Sequence, residues 1–190
     1  MRCSSSFCRE EPSGRAEPRS KRALPALILL LALSFAANGC FTRDHLIGPV
    51  ETVELLSKDS QDRVKVKAKI DTGAYSSSID ERLASRLGFG DAIRYYKGFG
   101  LSGTLTREEV GELRAKGIKE KLAKHPDIVE AVFVYSSTGI TLRIKIPLTF
   151  YLAGVRISSP VTVADRRNLK YPMIIGRRDL KGFLIDPDRK

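Results

Sequence analysis

The chain has 190 residues, a formal net charge of +11 and 42% hydrophobic residues, enough for one domain with a sizeable core. Its three cysteines, Cys3, Cys8 and Cys40, all lie in the first forty residues, which excludes a disulfide framework or a cysteine-based zinc site in the remainder. No basic motif interleaved with aromatic residues is present, which speaks against a nucleic-acid partner.

The chain opens with Arg2, Arg9, Arg15, Arg19, Lys21 and Arg22, then an apolar run from Ala23 to Leu33 that continues through small residues to Cys40. A positive n-region, a short h-region and small residues before a cleavage point predict a secretory signal over 1–39. The run is shorter than the roughly 20 residues that a spanning helix requires. Ala37-Asn38-Gly39-Cys40 resembles a bacterial lipobox, which implies cleavage before Cys40 and lipid on its thiol; a plain signal peptide with an incidental cysteine is the alternative. Phe41, where Asp would mark inner-membrane retention, points to an outer-membrane lipoprotein facing the periplasm. The segment 41–190 keeps a charge of +8, suited to anionic headgroups or an acidic partner.

Residues 40–49 are expected to form a lipidated tether ended by Gly48-Pro49, with one domain over 50–190. Val50–Leu56 reads as a first strand and Ser57–Asp62 as a turn. In Val64-Lys65-Val66-Lys67-Ala68-Lys69-Ile70, apolar and basic residues alternate strictly, the period of a half-buried strand. Asp71-Thr72-Gly73-Ala74 follows where that strand stops. Gly73 permits a tight bend and Ala74 a close backbone approach, as an aspartic peptidase needs to present its carboxylate. Alone, the tetrapeptide is equally an ordinary strand-to-turn junction.

Asp80 is placed to cap a short helix through Arg86, closed by Gly88. Thr106 and Glu109 have capping-box spacing, and helix formers continue to about 125. This inserted surface helix is either a substrate gate or a cover for a sheet edge. Ala131–Tyr135 and Ile140–Ile146 flank Ser136-Ser137-Thr138-Gly139, a hairpin signature. Leu148–Leu152, Val155–Ile157 and Val161–Val163 read as short strands, and such spacing predicts a mainly β fold with a closed antiparallel barrel.

Met173-Ile174-Ile175-Gly176-Arg177-Arg178-Asp179-Leu180 supplies a second motif. Together with Ile70-Asp71-Thr72-Gly73-Ala74 it resembles the retropepsin-like aspartic peptidases. More closely, Lys67–Ala74, Lys170–Arg177 and Gly182–Pro187 are similar to a bacterial and archaeal family named for ATP-dependent zinc protease activity. The resemblance implies that Asp71 is catalytic, with Thr72 bonding across a two-fold axis and the Gly73 amide orienting the carboxylate. Ile175, Gly176 and Arg177, with a short C-terminal helix, would pack behind the catalytic loop. Ala74 and the flap tip Ser136, Ser137, Thr138 and Gly139 would contact a peptide or protein substrate. One Asp-Thr-Gly in so short a domain implies a homodimer with one Asp71 from each subunit.

No metal and no cofactor is expected. His45 and His125 are far apart and read as surface residues, no His-Glu-x-x-His occurs, and no glycine-rich loop for ATP phosphates is present. The chain departs from viral members at Tyr75, where they carry an acidic partner for the Gly-Arg arginine. Arg177 therefore pairs with Asp179, Asp186 or a carbonyl, or else serves substrate binding. Asp165 and Asp186 are the other strand-adjacent carboxylates, Asp186 being better suited to a turn. Three functions fit: a lipid-anchored periplasmic aspartic endopeptidase, a non-catalytic module binding peptides or envelope components, and a hydrolase of unusual glutamyl amides.

Overall fold

The computed structural model describes residues 45–60, 62–101 and 103–189, so the signal segment and Cys40 lie outside the described residues. The strands are β1 His45–Ile47, β2 Val50–Leu56, β3 Arg63–Asp71, β4 Ser78–Asp80, β5 Glu130–Ser136, β6 Gly139–Leu152, β7 Val155–Ala164, β8 Met173–Gly176 and β9 Phe183–Ile185. Six of them follow each other in the order β2-β3-β8-β4-β7-β6, and β6 returns to β2 through Val53↔Leu152 and Leu55↔Phe150, which closes a barrel. β5 pairs with β6 outside that ring, as the second arm of a hairpin.

Side-chain alternation explains why the ring closes on itself. In β3, Ala68 and Ile70 face the core while Lys65, Lys67 and Lys69 face outward. Glu54 on β2 takes both Arg63 and Lys65, whose hydrogen bonds hold its carboxyl below the usual range. The interior is filled by Val53, Leu55, Ile146, Phe150, Met173 and Ile175, all fully buried.

The barrel is mixed where the spacing predicted an antiparallel one. β8 arrives from the far end of the sequence and inserts between β3 and β4, parallel to β3, and β4 runs parallel to β7. Periodicity sets which face a residue takes, not which strand lies beside it. The short strands expected over 148–163 are two long ones, β6 and β7, despite Pro147 and Pro160. These prolines face each other across the pair, where neither amide is needed, and Pro147 lies where β6 exchanges β5 for β2 as neighbour.

The stretch expected as tether holds β1, which pairs in parallel with β9. Asp80 caps α1, Glu81–Ala84, through bonds to the Arg82 and Leu83 amides. The helix breaks at Gly88, whose backbone is non-helical (φ 97°), and a second helix not read from the sequence follows as α2, Gly90–Lys97. The inserted helix is two: α3, Arg107–Ala115, opened by a complete Thr106–Glu109 capping box, and α4, Ile118–Leu122, separated by Gly117 at φ 63°. The short C-terminal helix is a single 3-10 turn, Arg177–Leu180.

Candidate active site

Asp71 ends β3, opposite Gly176 in the parallel ladder with β8. The backbone turns immediately afterwards, and the Gly73 and Ala74 amides donate to Asp71 Oδ1 at 3.1 and 3.2 Å. Two donors on one oxygen fix the plane of the carboxylate, and among the described residues no hydrogen bond reaches Oδ2. Asp71 is half-buried and Thr72 beside it is exposed. A fixed carboxylate with one oxygen unengaged can bind and deprotonate a water.

The β8 segment lies behind this loop. The Arg177 amide donates to the Ala74 carbonyl at 2.9 Å and the Arg178 amide to the Tyr75 carbonyl at 3.1 Å. Gly176 is required by closeness: a Cβ there would stand 2.5 Å from the Ser76 carbonyl carbon. Ile175 is fully buried beneath. Arg177 meets neither Asp179 nor Asp186. Its guanidinium reaches the Gly73 carbonyl at 3.5 Å and lies 5.5 Å over the exposed Tyr75 ring, so a carbonyl and an aromatic face replace the acidic partner of viral enzymes.

The other carboxylates considered stand elsewhere. Asp165 is held by Arg167, whose side-chain and backbone donors depress its carboxyl to about 2. Asp186 accepts from the Asp188 amide in a C-terminal turn. No carboxylate among the described residues is hydrogen-bonded to Asp71, and no cluster of His, Cys, Asp and Glu there is able to hold a metal ion.

Ser136, Ser137, Thr138 and Gly139 form the tip of the β5–β6 hairpin, where the Ser136 hydroxyl donates to the Gly139 carbonyl at 3.0 Å. The hairpin is strapped by the inserted segment. The Leu105 amide donates to the Ile140 carbonyl at 2.7 Å, Arg114 bonds the Tyr135 hydroxyl at 3.3 Å, and Gly139 sits against Thr104 with no room for a Cβ. A cavity of about 760 Å³ opens at the hairpin base, lined among others by Arg82, Lys97, Thr104, Thr141, Arg143 and Asp165; Asp71 is not in its wall. Burial lowers the Arg143 guanidinium, and among the described residues its side chain bonds only the Thr141 hydroxyl, at 3.0 Å. Arg166 is likewise lowered, first by burial and then by Arg143, while the charges of Asp80 and Asp71 oppose this.

Sequence reasoning missed Ser77, Ser159 and Arg178, which meet Asp179 behind the loop. It also missed the Thr104 and Leu105 strap. Apart from the Arg178–Asp179 neighbours, these contacts join residues far apart in the chain, by 102 positions for Ser77–Asp179 and 20 for Ser159–Asp179, so no spacing in the sequence exposes them.

A closed six-stranded barrel carrying an Asp-Thr-Gly-Ala loop, braced from behind by Ile-Ile-Gly-Arg, is the architecture of a retropepsin-like aspartic peptidase. The chain belongs to the family of the retropepsin-like aspartic endopeptidase RimB, whose model matches residues 46–190. A search of curated proteins gives no match. Among solved structures, a Legionella pneumophila protein of unknown function is 17% identical over 77% of this chain and 95% of its own, with a TM-score of 0.40. Simian foamy virus protease is 13% identical over 69% and 90%, with a TM-score of 0.34. The retroviral protease-like domain of Ddi1 from Leishmania major is 20% identical over 70% and 75%, with a TM-score of 0.34.

Proposed function

We propose that this member of the family is a lipid-anchored endopeptidase whose active site is completed by a second copy of the chain. Two Asp71 carboxylates would meet across a two-fold axis and share one proton, because like charges so close resist double ionisation. The ionised one takes a proton from the attacking water while the protonated one polarises the scissile carbonyl. An extended peptide lies beneath the Ser136–Gly139 hairpin as an added strand. The observation that carries this reading is the Asp71 loop itself: one carboxylate oxygen held by two amides, the other unengaged among the described residues, and Thr72 exposed beside it.

Anchoring rests on the sequence from Arg2 to Cys40 and places the domain on the periplasmic face of the outer membrane. The test combines peptide cleavage by wild type and Asp71→Asn, titration with pepstatin, and mass in solution. Loss of cleavage in Asp71→Asn, inhibition by pepstatin and a dimeric mass are expected. A strict monomer that cleaves no peptide at any pH contradicts the reading and leaves a binding module.

A second reading, hydrolysis of glutamyl amides, is favoured by Arg143, a half-buried guanidinium in a substrate-sized cavity with no carboxylate bonded to it among the described residues. A glutamate-rich peptide cleaved faster than a neutral one of equal length, with the advantage lost in Arg143→Met, supports it. Equal rates on the two peptides contradict it.

A further inference from the structure

Behind the Asp71 loop lies a buried polar cluster that the chemistry above does not use. Ser77 is 0% exposed, Ser159 7% and Asp179 8%. The Ser77 hydroxyl donates to Asp179 Oδ2 at 2.5 Å and the Ser159 hydroxyl to Oδ1 at 2.7 Å. Arg178 donates through Nη2 to Ser159 Oγ at 2.6 Å and to the Pro160 carbonyl at 2.5 Å, and its Nε reaches Asp179 Oδ1 at 3.4 Å. Both oxygens of the buried carboxylate are therefore satisfied and its charge is countered.

Apolar residues of similar volume would hold these elements together at least as well, since a buried ion pair is weak evidence for stability. What the carboxylate adds is direction. It commits the Ser77 proton to Oδ2 and leaves the Ser77 lone pair for the Gly176 amide, which donates to it at 3.1 Å. The Ser77 carbonyl meanwhile accepts from the Thr162 amide at 3.0 Å and the Thr162 hydroxyl at 2.9 Å. Ser77 stands three residues after Ala74, so the exit of the catalytic loop is tied at one residue to β7, β8 and the 3-10 turn.

We infer that Asp179, acting through Ser77, is a positioning residue that sets this exit and so keeps the Gly73 and Ala74 amides aimed at Asp71 Oδ1. The inference rests on the peptidase reading above, but the cluster is distinct from the reacting groups. A displacement of about 1 Å at the loop is enough to cost on the order of a hundredfold in rate. The Gly176–Ser76 contact passes any movement of Ser77 directly to the backbone that carries Arg177 and Ala74.

The experiment uses wild type, Ser77→Ala, Asp179→Ala and Asp179→Asn, with the folded fraction of each measured by near-ultraviolet circular dichroism. Turnover of one peptide substrate is read per folded molecule, alongside amide hydrogen exchange at Ala74, Arg177 and Arg178. Ser77→Ala and Asp179→Ala are expected to lower kcat by about tenfold or more with KM within about twofold, and to speed exchange at those three amides. Asp179→Asn, which still offers an acceptor to Ser77, recovers most of kcat. A folded Ser77→Ala protein with wild-type kcat and wild-type exchange overturns the inference. If wild type itself cleaves no peptide, the peptidase reading fails separately, and exchange in Ser77→Ala alone decides this one.

Discussion

The Asp71 loop and the β5–β6 hairpin are held by different physics. The Asp71 loop is braced by backbone bonds to Ala74 and Tyr75, by the Gly176 contact and by the buried Asp179 cluster, all on short segments packed against the core. The β5–β6 hairpin leaves the barrel, carries an exposed tip, and is held by the Leu105 bridge, the Arg114–Tyr135 bond and cations over Phe133. Over-determined backbone resists displacement, whereas a segment with few buried contacts opens at low cost. The loop, the floor of the proposed cleft, is thus built to keep one geometry and the hairpin, its roof, is the more weakly held, with the helical insertion bonded to it.

The sharpest test of the contrast is Asp71→Asn. It removes the base and keeps the loop's amide acceptor, so turnover should fall by at least about a thousandfold while the denaturation midpoint stays near wild type. Loss of folding together with activity would make the floor's role structural. Next is Gly176→Ala, where the added methyl must displace Ser76 backbone; urea unfolding should show a loss of about 1–3 kcal/mol or more, with kcat falling alongside.

At the roof, Gly139→Ala introduces a methyl at φ 119° against Thr104, so it should open the strap. Stability is expected to fall by about 1–3 kcal/mol, and KM to rise more than kcat falls. If kcat collapses with KM unchanged, the hairpin belongs to the rigid half of the site. The smallest effect is expected at the Asp165–Arg167 pair on the cavity wall. Its carboxyl is depressed to about 2, so its stabilisation is present above the ordinary carboxylate range near pH 4 and is lost as pH falls through about 2. The pair is largely exposed and screened by solvent, so Asp165→Ala should change stability by no more than about 0.5 kcal/mol at pH 7, less in high salt.

The floor was the legible part of the sequence. Alternation in Val64–Ile70 placed Asp71 at a strand end, and the family resemblance put Ile175, Gly176 and Arg177 behind its loop; the structure adds why a glycine stands there, since a Cβ would lie 2.5 Å from Ser76. Its brace was not legible. Ser77 and Asp179 are 102 residues apart, and a serine in Tyr75-Ser76-Ser77-Ser78 gives no sign of facing a buried carboxylate. Of the partners expected for Arg177, namely Asp179, Asp186 or a carbonyl, the structure gives the Gly73 carbonyl, and it is the neighbouring Arg178 that reaches Asp179. The roof was legible as a hairpin and a capped helix; the strap that joins them was not, since Thr104 and Leu105 carry no motif.

In the proposed dimer, Asp71 is one half of a site completed by the same residue of a second chain. Wild-type and Asp71→Asn chains unfolded, mixed in equal amounts and refolded test it most directly. If both carboxylates are needed, only pairs of wild-type chains are active, and turnover per total chain falls to about one quarter of the unmixed wild type. A fall to about one half, as for independent sites each carried by one chain, would contradict the account.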